Sequence, residues 1–203
     1  MSPVPKVFSY KLVRDYGFAP NPFHGICTLG TCKPQIRKAA RVGDIVVGCG
    51  SVGLNLPEKL IFVMRVSQKL SFQEYWEDER FRIKRPDLYS SNSMAYGDNI
   101  YHVVNDSWVQ EDSHHSFDGG LINQANLVRD LGSDNVLIGE EFVYWGANAV
   151  EIPAYLRNFH GEDLYPPARN YRCTFSEAFR VEVDTWFKSL PTRGFRSRPA
   201  SWR

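Results

Sequence analysis

The apolar residues of this chain come in short, separated runs, and that spacing restricts its fold more than any other feature. Residues 6–13 (KVFSYKLV) alternate apolar and polar side chains with β-branched and aromatic members, the pattern of a half-buried strand. Residues 45–47 (IVV) are continuously apolar, β-branched and too few for a helix, and residues 60–66 (LIFVMRV) have the form of a neighbouring strand. Two further apolar runs flank Gly139, Glu140 and Glu141 in residues 135–145, which predicts a hairpin with a short connection.

Helical signals are fewer. Pro34 suits the first turn of a short helix, because the N–H it lacks would have had no partner there. Ser71 is placed to cap a second helix, and Ser176 a third that carries an apolar stripe of Phe179, Val183, Trp186, Phe187 and Leu190 and stops at Pro191. Strands interrupted by single short helices predict an α+β fold rather than a doubly wound parallel sheet. A small twisted β-barrel with peripheral helices is the expected architecture. At 203 residues one domain is the default, spanning 1–190 with a polar, turn-rich insertion around 86–120 and a basic tail over 191–203.

Composition limits the partners. The formal net charge is +1, so no whole-molecule field draws in a polyanion, and any nucleic-acid contact must rest on a local patch. The four cysteines lack CxxC spacing and read as free thiols of a reducing compartment. No stretch reaches the ~18 apolar residues of a membrane span, and no basic-then-apolar leader opens the chain, so the expectation is a cytoplasmic protein without a membrane partner. Motifs for ATP, NAD and zinc-protease chemistry are absent, and no cofactor is implied.

The most suggestive stretch is residues 18–30, where Pro20, Asn21 and Pro22 brace a loop rich in aromatics. Tyr16, Phe18 and Phe23 offer ring faces, Asn21 a paired donor and acceptor, Thr28 a hydroxyl and Lys33 a cation. That set suits one nucleobase, stacked for ~1–3 kcal/mol per aromatic face, with Lys33 on a phosphate. The structural alternative is that the aromatics plug one end of a barrel. Small residues after the 45–47 strand, among them Cys49 and Ser51, leave room over a pocket, and Trp145 is a second stacking wall or else a core aromatic. Arg193, Arg196 and Arg198 of the tail either grip phosphates or form a solubilising end, together with Arg203. His24 and Cys27 are the candidate base and nucleophile, should the site be catalytic. His114 and His115, with Asp112 and Asp118, look like a fragment of a metal site, but adjacent side chains on an extended segment point apart, and no metal is assigned.

The segment GICTLGTCKPQIRKAARVGDIVVGCGSV, followed by KLIFVMRVSQKL, resembles the core of the PUA-like superfamily, especially its EVE and YTH-type branch. In place of the pocket tryptophan of that branch stand Tyr10, Tyr16 and Phe18. The longer string RDYGFAPNPFHGICTLGTCKPQIRKAARVGD resembles the signature of a nucleotide-modification-associated domain family, the second of its series. These resemblances imply a PUA-like fold and a place in bacterial or phage systems that make or read hypermodified DNA bases. Three functions follow: a reader of a modified base in nucleic acid or in a free nucleotide, an enzyme that modifies or excises a base in the same pocket, or an accessory that binds another protein.

Overall fold

A computed structural model describes residues 3–168 and 170–202. In chain order the strands are β1 (Val7–Lys11), β2 (Cys27–Leu29), β3 (Ile45–Cys49), β4 (Lys59–Arg65), β5 (Gln68–Leu70), β6 (Tyr101–Val104), β7 (Ser107–Gln110), β8 (Val136–Gly139), β9 (Phe142–Tyr144), β10 (Val150–Glu151) and β11 (Gly194–Phe195). The helices are α1 (Pro34–Ala39), α2 (Phe72–Glu77), α3 (Asn92–Ala95), α4 (Gln124–Asp130), α5 (Ala154–Arg157) and α6 (Glu177–Ser189). The chain divides into two interleaved compact units. One comprises Met1–Tyr16, Ala40–Ser67 and Gly139–Arg203, the other Gly17–Ala39 and Gln68–Ile138, so the polar stretch 86–120 is one part of the second unit.

The first unit is built on an open sheet of order β1-β3-β4-β9-β11, with β10 also on β4. The expected strand neighbours pair as β3 and β4, antiparallel from Ile45 opposite Arg65. β1 joins β3 in parallel and β11 joins β9 in parallel, at opposite ends of the path. No closed barrel forms among the described residues. The outer edge of β1 is occupied instead by Arg172, which exchanges both backbone hydrogen bonds with Ser9 at 2.9 and 2.8 Å. α6 lays Phe179, Val183, Trp186 and Phe187 on the core formed by Val7, Ile45, Val47 and Val63, each such side chain contributing roughly 1.5–3 kcal/mol by burial. Its expected cap is present, with Phe179 N donating to Ser176 Oγ at 3.2 Å.

The tail is part of this unit rather than a free end. β11 extends the sheet, and the Asp15 carboxylate accepts from Tyr144 Oη at 2.6 Å and from Ala200 N at 2.9 Å.

The second unit carries a three-stranded sheet of order β2-β8-β5 and the β6–β7 hairpin. That hairpin turns on Asn105 and Asp106, both at positive φ, the two-residue connection whose twist suits flanking strands. The hairpin expected at residues 135–145 does not form, because β8 pairs with β5 while β9 pairs with β4. The chain crosses from one sheet to the other at Gly139, where a Cβ would stand 2.9 Å from that of Met64. α2 begins with a complete capping box between Ser71 and Glu74.

Candidate active site

A buried polar frame holds the 17–30 loop of the second unit. Lys84 Nζ, 1% exposed, donates to the carbonyls of Asn21 (3.1 Å), Phe23 (2.8 Å) and Ile26 (2.7 Å) and to Asn21 Oδ1 (2.7 Å). Asn21 Nδ2 donates to Tyr96 O at 2.9 Å, so both ends of this amide are engaged. The Asp98 carboxylate accepts from Thr28 Oγ1 at 2.8 Å, Gly30 N at 3.0 Å and Tyr75 Oη at 2.8 Å. Burial pushes the Lys84 pKa down to about 8 against the opposing pull of Asp98, and burial likewise raises that of Asp98 against the pull of Lys84.

From this frame the chain runs into Thr31, Cys32 and Lys33. Cys32 (φ 56) and Lys33 (φ 43) are consecutive left-handed residues without being glycine, a conformation that costs on the order of 1 kcal/mol each and persists only where neighbours impose it. Arg37 imposes it. Its fully buried guanidinium donates to the carbonyls of Cys32 (2.7 Å), Asp130 (2.6 Å), Ser133 (2.7 Å) and Asn135 (2.6 Å), which ties the start of α1 to the end of α4.

Three side chains from distant parts of the sequence meet there in order. Cys32 Sγ lies 3.7 Å from His115 Nε2, and His115 Nδ1 lies 2.8 Å from Asp130 Oδ2. Asp130 is completely buried, and its carboxylate also accepts from Tyr101 Oη at 3.0 Å and from Cys32 N at 2.9 Å. The His115 carbonyl is held by Asn126 Nδ2 at 2.9 Å and Gln110 Nε2 at 3.3 Å, and Gln110 Nε2 also donates to Tyr101 Oη at 3.2 Å. The Phe18 ring packs on the imidazole with centroids 4.6 Å apart. Burial would lower the His115 pKa, but the Asp130 hydrogen bond and the Cys32 sulfur outweigh it and bring it up to about 9. Burial would likewise raise the pKa of Asp130, and the His115 hydrogen bond and charge, with that of Arg37, hold it below the usual carboxylate range.

A thiol facing one imidazole nitrogen, with a carboxylate on the other, is the arrangement of nucleophile, base and orienting acid. The same three groups offer ligand atoms within 4.8 Å of one another, as a metal site would. Asp130, however, spends its oxygens on Cys32 N, Tyr101 and His115, which leaves the thiolate and one imidazole nitrogen, two short of a tetrahedral zinc site.

Protonation of His115 is linked to stability. Its folded pKa of about 9 stands above the ordinary 6.5, so its contribution is whole below about pH 6.5 and is lost as pH rises through about 9. Lys84, lowered from 10.5 to about 8, works oppositely and adds stability across that higher range. The measurement is therefore a difference. The gap in urea midpoint between wild type and His115→Gln should shrink from pH 6 to pH 9.5, and a constant gap would contradict the pairing.

The residues singled out by sequence are distributed as follows. Phe18, Asn21, Phe23, Thr28 and Lys33 belong to the second unit, and all but Lys33 are buried. Tyr16, Cys49, Ser51 and Trp145 belong to the first. There Cys49 is fully buried with its thiol pushed up to about 12, chiefly by that burial, and Trp145 packs against the core. The room expected beside the small residues is taken at Gly48, where a Cβ would stand 2.2 Å from the Phe62 ring. Ser51 lines a cleft of about 330 Å³ with Lys11 and Tyr165. Cys27 is fully buried and its thiol is pushed far above the ordinary range by that burial, while His24 is exposed. Arg193 donates to the carbonyls of Phe187 (2.9 Å) and Leu190 (2.7 Å) and so caps α6. The Arg198 guanidinium donates to the Trp202 carbonyl, the Arg196 side chain is exposed, and Arg203 lies outside the described residues. Of the two adjacent histidines His115 turns inward and His114 outward; Asp112 accepts from Ser116 Oγ at 2.8 Å. By sequence Cys32 stands with His24 and Cys27 as a possible metal or nucleophile group that lacks the second half of a zinc site, whereas Asp130, Tyr101 and Arg37 carry no such mark.

No helix among the described residues is long and apolar enough to cross a membrane. The family model for nucleotide modification associated domain 2 matches residues 4–203. None of the curated proteins and none of the solved structures matches the chain.

Proposed function

We propose, for a chain that belongs to the nucleotide modification associated domain 2 family, a thiol enzyme that acts on a nucleobase or its substituent, in a free nucleotide or in nucleic acid. The observation that carries this reading is the continuous line from Cys32 Sγ through both His115 nitrogens to Asp130. The family description supplies the substrate class. Phe18, packed on His115, is the candidate wall for the base, whereas the Asn21 amide and the Thr28 hydroxyl are already bound within the buried frame. A PUA-like origin for the first unit belongs to the same reading, and the turn at Gly43 and Asp44 leading into β3 favours it.

The chemistry suits substitution at an sp² carbon, such as an acyl or amide carbon attached to a base. The raised His115 pKa keeps the proton that the pair shares on Nε2, so Sγ attacks as the thiolate and an S–C bond forms. The departing nitrogen or oxygen takes that proton as its own bond to carbon breaks. Water or an acceptor amine then attacks the thioester and gives its proton to Nε2, from which Sγ recovers it. Asp130 keeps Nδ1 protonated and the ring aligned throughout.

The test is incubation with nucleotides and DNA carrying acyl- or amide-substituted bases, read by intact-protein mass spectrometry and product analysis. A mass adduct on Cys32, absent from Cys32→Ser, supports the enzyme. Binding by thermal shift without adduct or product would leave the reader function in its place, because a ligand at one hundred times its Kd adds about 2.7 kcal/mol of stability without any turnover.

A further inference from the structure

The first unit has a concave basic cleft that takes no part in the chemistry assigned to Cys32. It encloses about 490 Å³ between the start of the chain, the turn before β3 and α6. Lys6, Arg41, Arg65, Arg180 and Lys188 line it against only Asp44 and Asp184. The chain as a whole carries +1, so the residues outside this cleft are net acidic and its surplus of positive charge is a local feature.

Both carboxylates are already committed. Asp184 accepts from Arg65 at 2.6 Å and from Lys188 at 2.7 Å. Asp44, 7% exposed, receives the backbone N–H of Lys6 at 2.8 Å and of Arg41 at 2.9 Å. Three cations are left over. Arg180 Nη1 holds the carbonyls of Val4 (3.1 Å) and Pro5 (3.4 Å), neutral acceptors that leave its charge uncompensated. The charged ends of Lys6 and Arg41 have no partner among the described residues and stand exposed at the rim. Guanidinium forks pair bidentately with phosphate as with carboxylate, and an ammonium beside them adds a further point charge that a doubly charged phosphate can use. The walls between them are apolar, formed by Pro5, Val42 and Val181, and the volume exceeds what a bare anion needs.

We propose that this cleft binds the phosphate of an organic phosphate ester, with Lys6, Arg41 and Arg180 on the phosphate and the apolar walls against the organic body. A nucleoside monophosphate and the phosphodiester of a single strand share that chemistry, and the experiment separates them. The full-length chain is titrated by calorimetry with a nucleoside monophosphate, with a short single-stranded oligonucleotide and with inorganic phosphate, at low and moderate salt. Tighter binding of either ester than of inorganic phosphate is expected, and the tighter of the two identifies the natural form. The Lys6→Gln/Arg41→Gln double variant should weaken it at least about tenfold and flatten its salt dependence, with an unchanged urea midpoint. Cys32→Ser should bind as wild type does, so a failure of the thiol chemistry leaves this result standing, and the reverse. No binding of either ester, binding that the double variant leaves intact, or inorganic phosphate bound as tightly as the esters would each overturn the proposal.

Discussion

His115→Asn is expected to slow reaction at Cys32 by about 10²–10⁴-fold, the usual worth of a positioned general base. The measurement does not need the natural substrate. Iodoacetamide alkylation followed by peptide mass spectrometry resolves all four thiols of one sample, and three of them are internal references. Cys27 and Cys49 are fully buried, which holds their thiols protonated and out of reach, so they should stay unmodified in the folded protein. Cys173 is half-buried and outside the relay, which makes it the comparison for simple access. Cys32 should react faster than Cys173 in wild type, and the ratio should collapse toward one in His115→Asn. Asp130→Asn should reproduce much of that loss, since an amide cannot accept from Cys32 N, Tyr101 and His115 together. Groups that act as a unit are not additive, so the double variant should be little slower than His115→Asn alone. An unchanged ratio in both variants would mean that the imidazole packs beside the sulfur without serving it.

The sequence announced the elements and concealed the site, and the reason is physical. Strand and helix signals are local. The β-branched runs of β3 and β4, the Pro34 start of α1 and the serine caps of α2 and α6 depend on neighbours within a few residues, and each was legible. The connection after β8 was not. An apolar–Gly-Glu-Glu–apolar string is a hairpin by pattern, and it is long-range pairing, of β8 with β5 and of β9 with β4, that sends the two halves to different sheets. The relay is less legible still, because Cys32, His115 and Asp130 are separated by stretches of 83 and 15 residues and no spacing rule joins them. One signal was available. A cysteine immediately before Lys33 and Pro34 sits at a predicted helix start, and a lone cysteine with histidine and aspartate elsewhere in the chain is the form a thiol site takes in sequence. The 17–30 loop shows the converse. Its prolines and aromatics indicated a shaped loop, but the groups that shape it, Lys84 and Asp98, lie in stretches that carry no mark of their own.

Lys84→Met is the substitution expected to cost most in stability, about 3–5 kcal/mol, the range for removing one charged partner from a buried polar network. Methionine fills nearly the same volume, so packing is not the cause. The loss is of the ammonium that donates to Asn21 O, Asn21 Oδ1, Phe23 O and Ile26 O, most of them cut off from water. Asp98 loses its opposing charge at the same time, and burial then favours its protonated form still more strongly. These two contributions can be separated. Asp98→Asn in the Lys84→Met background removes the uncompensated charge but does not restore the lysine's hydrogen bonds to Asn21 Oδ1, Phe23 O and Ile26 O, so the double variant should recover part of the lost urea midpoint and no more. Amide exchange across residues 22–27 should rise in both, because the lysine holds the carbonyls of Phe23 and Ile26, while Asn21 and Thr28 also exchange both backbone hydrogen bonds with each other. A Lys84→Met protein within about 1 kcal/mol of wild type would show that water replaces the ammonium, and that the stiffness leading into Cys32 comes from the Arg37 clamp alone.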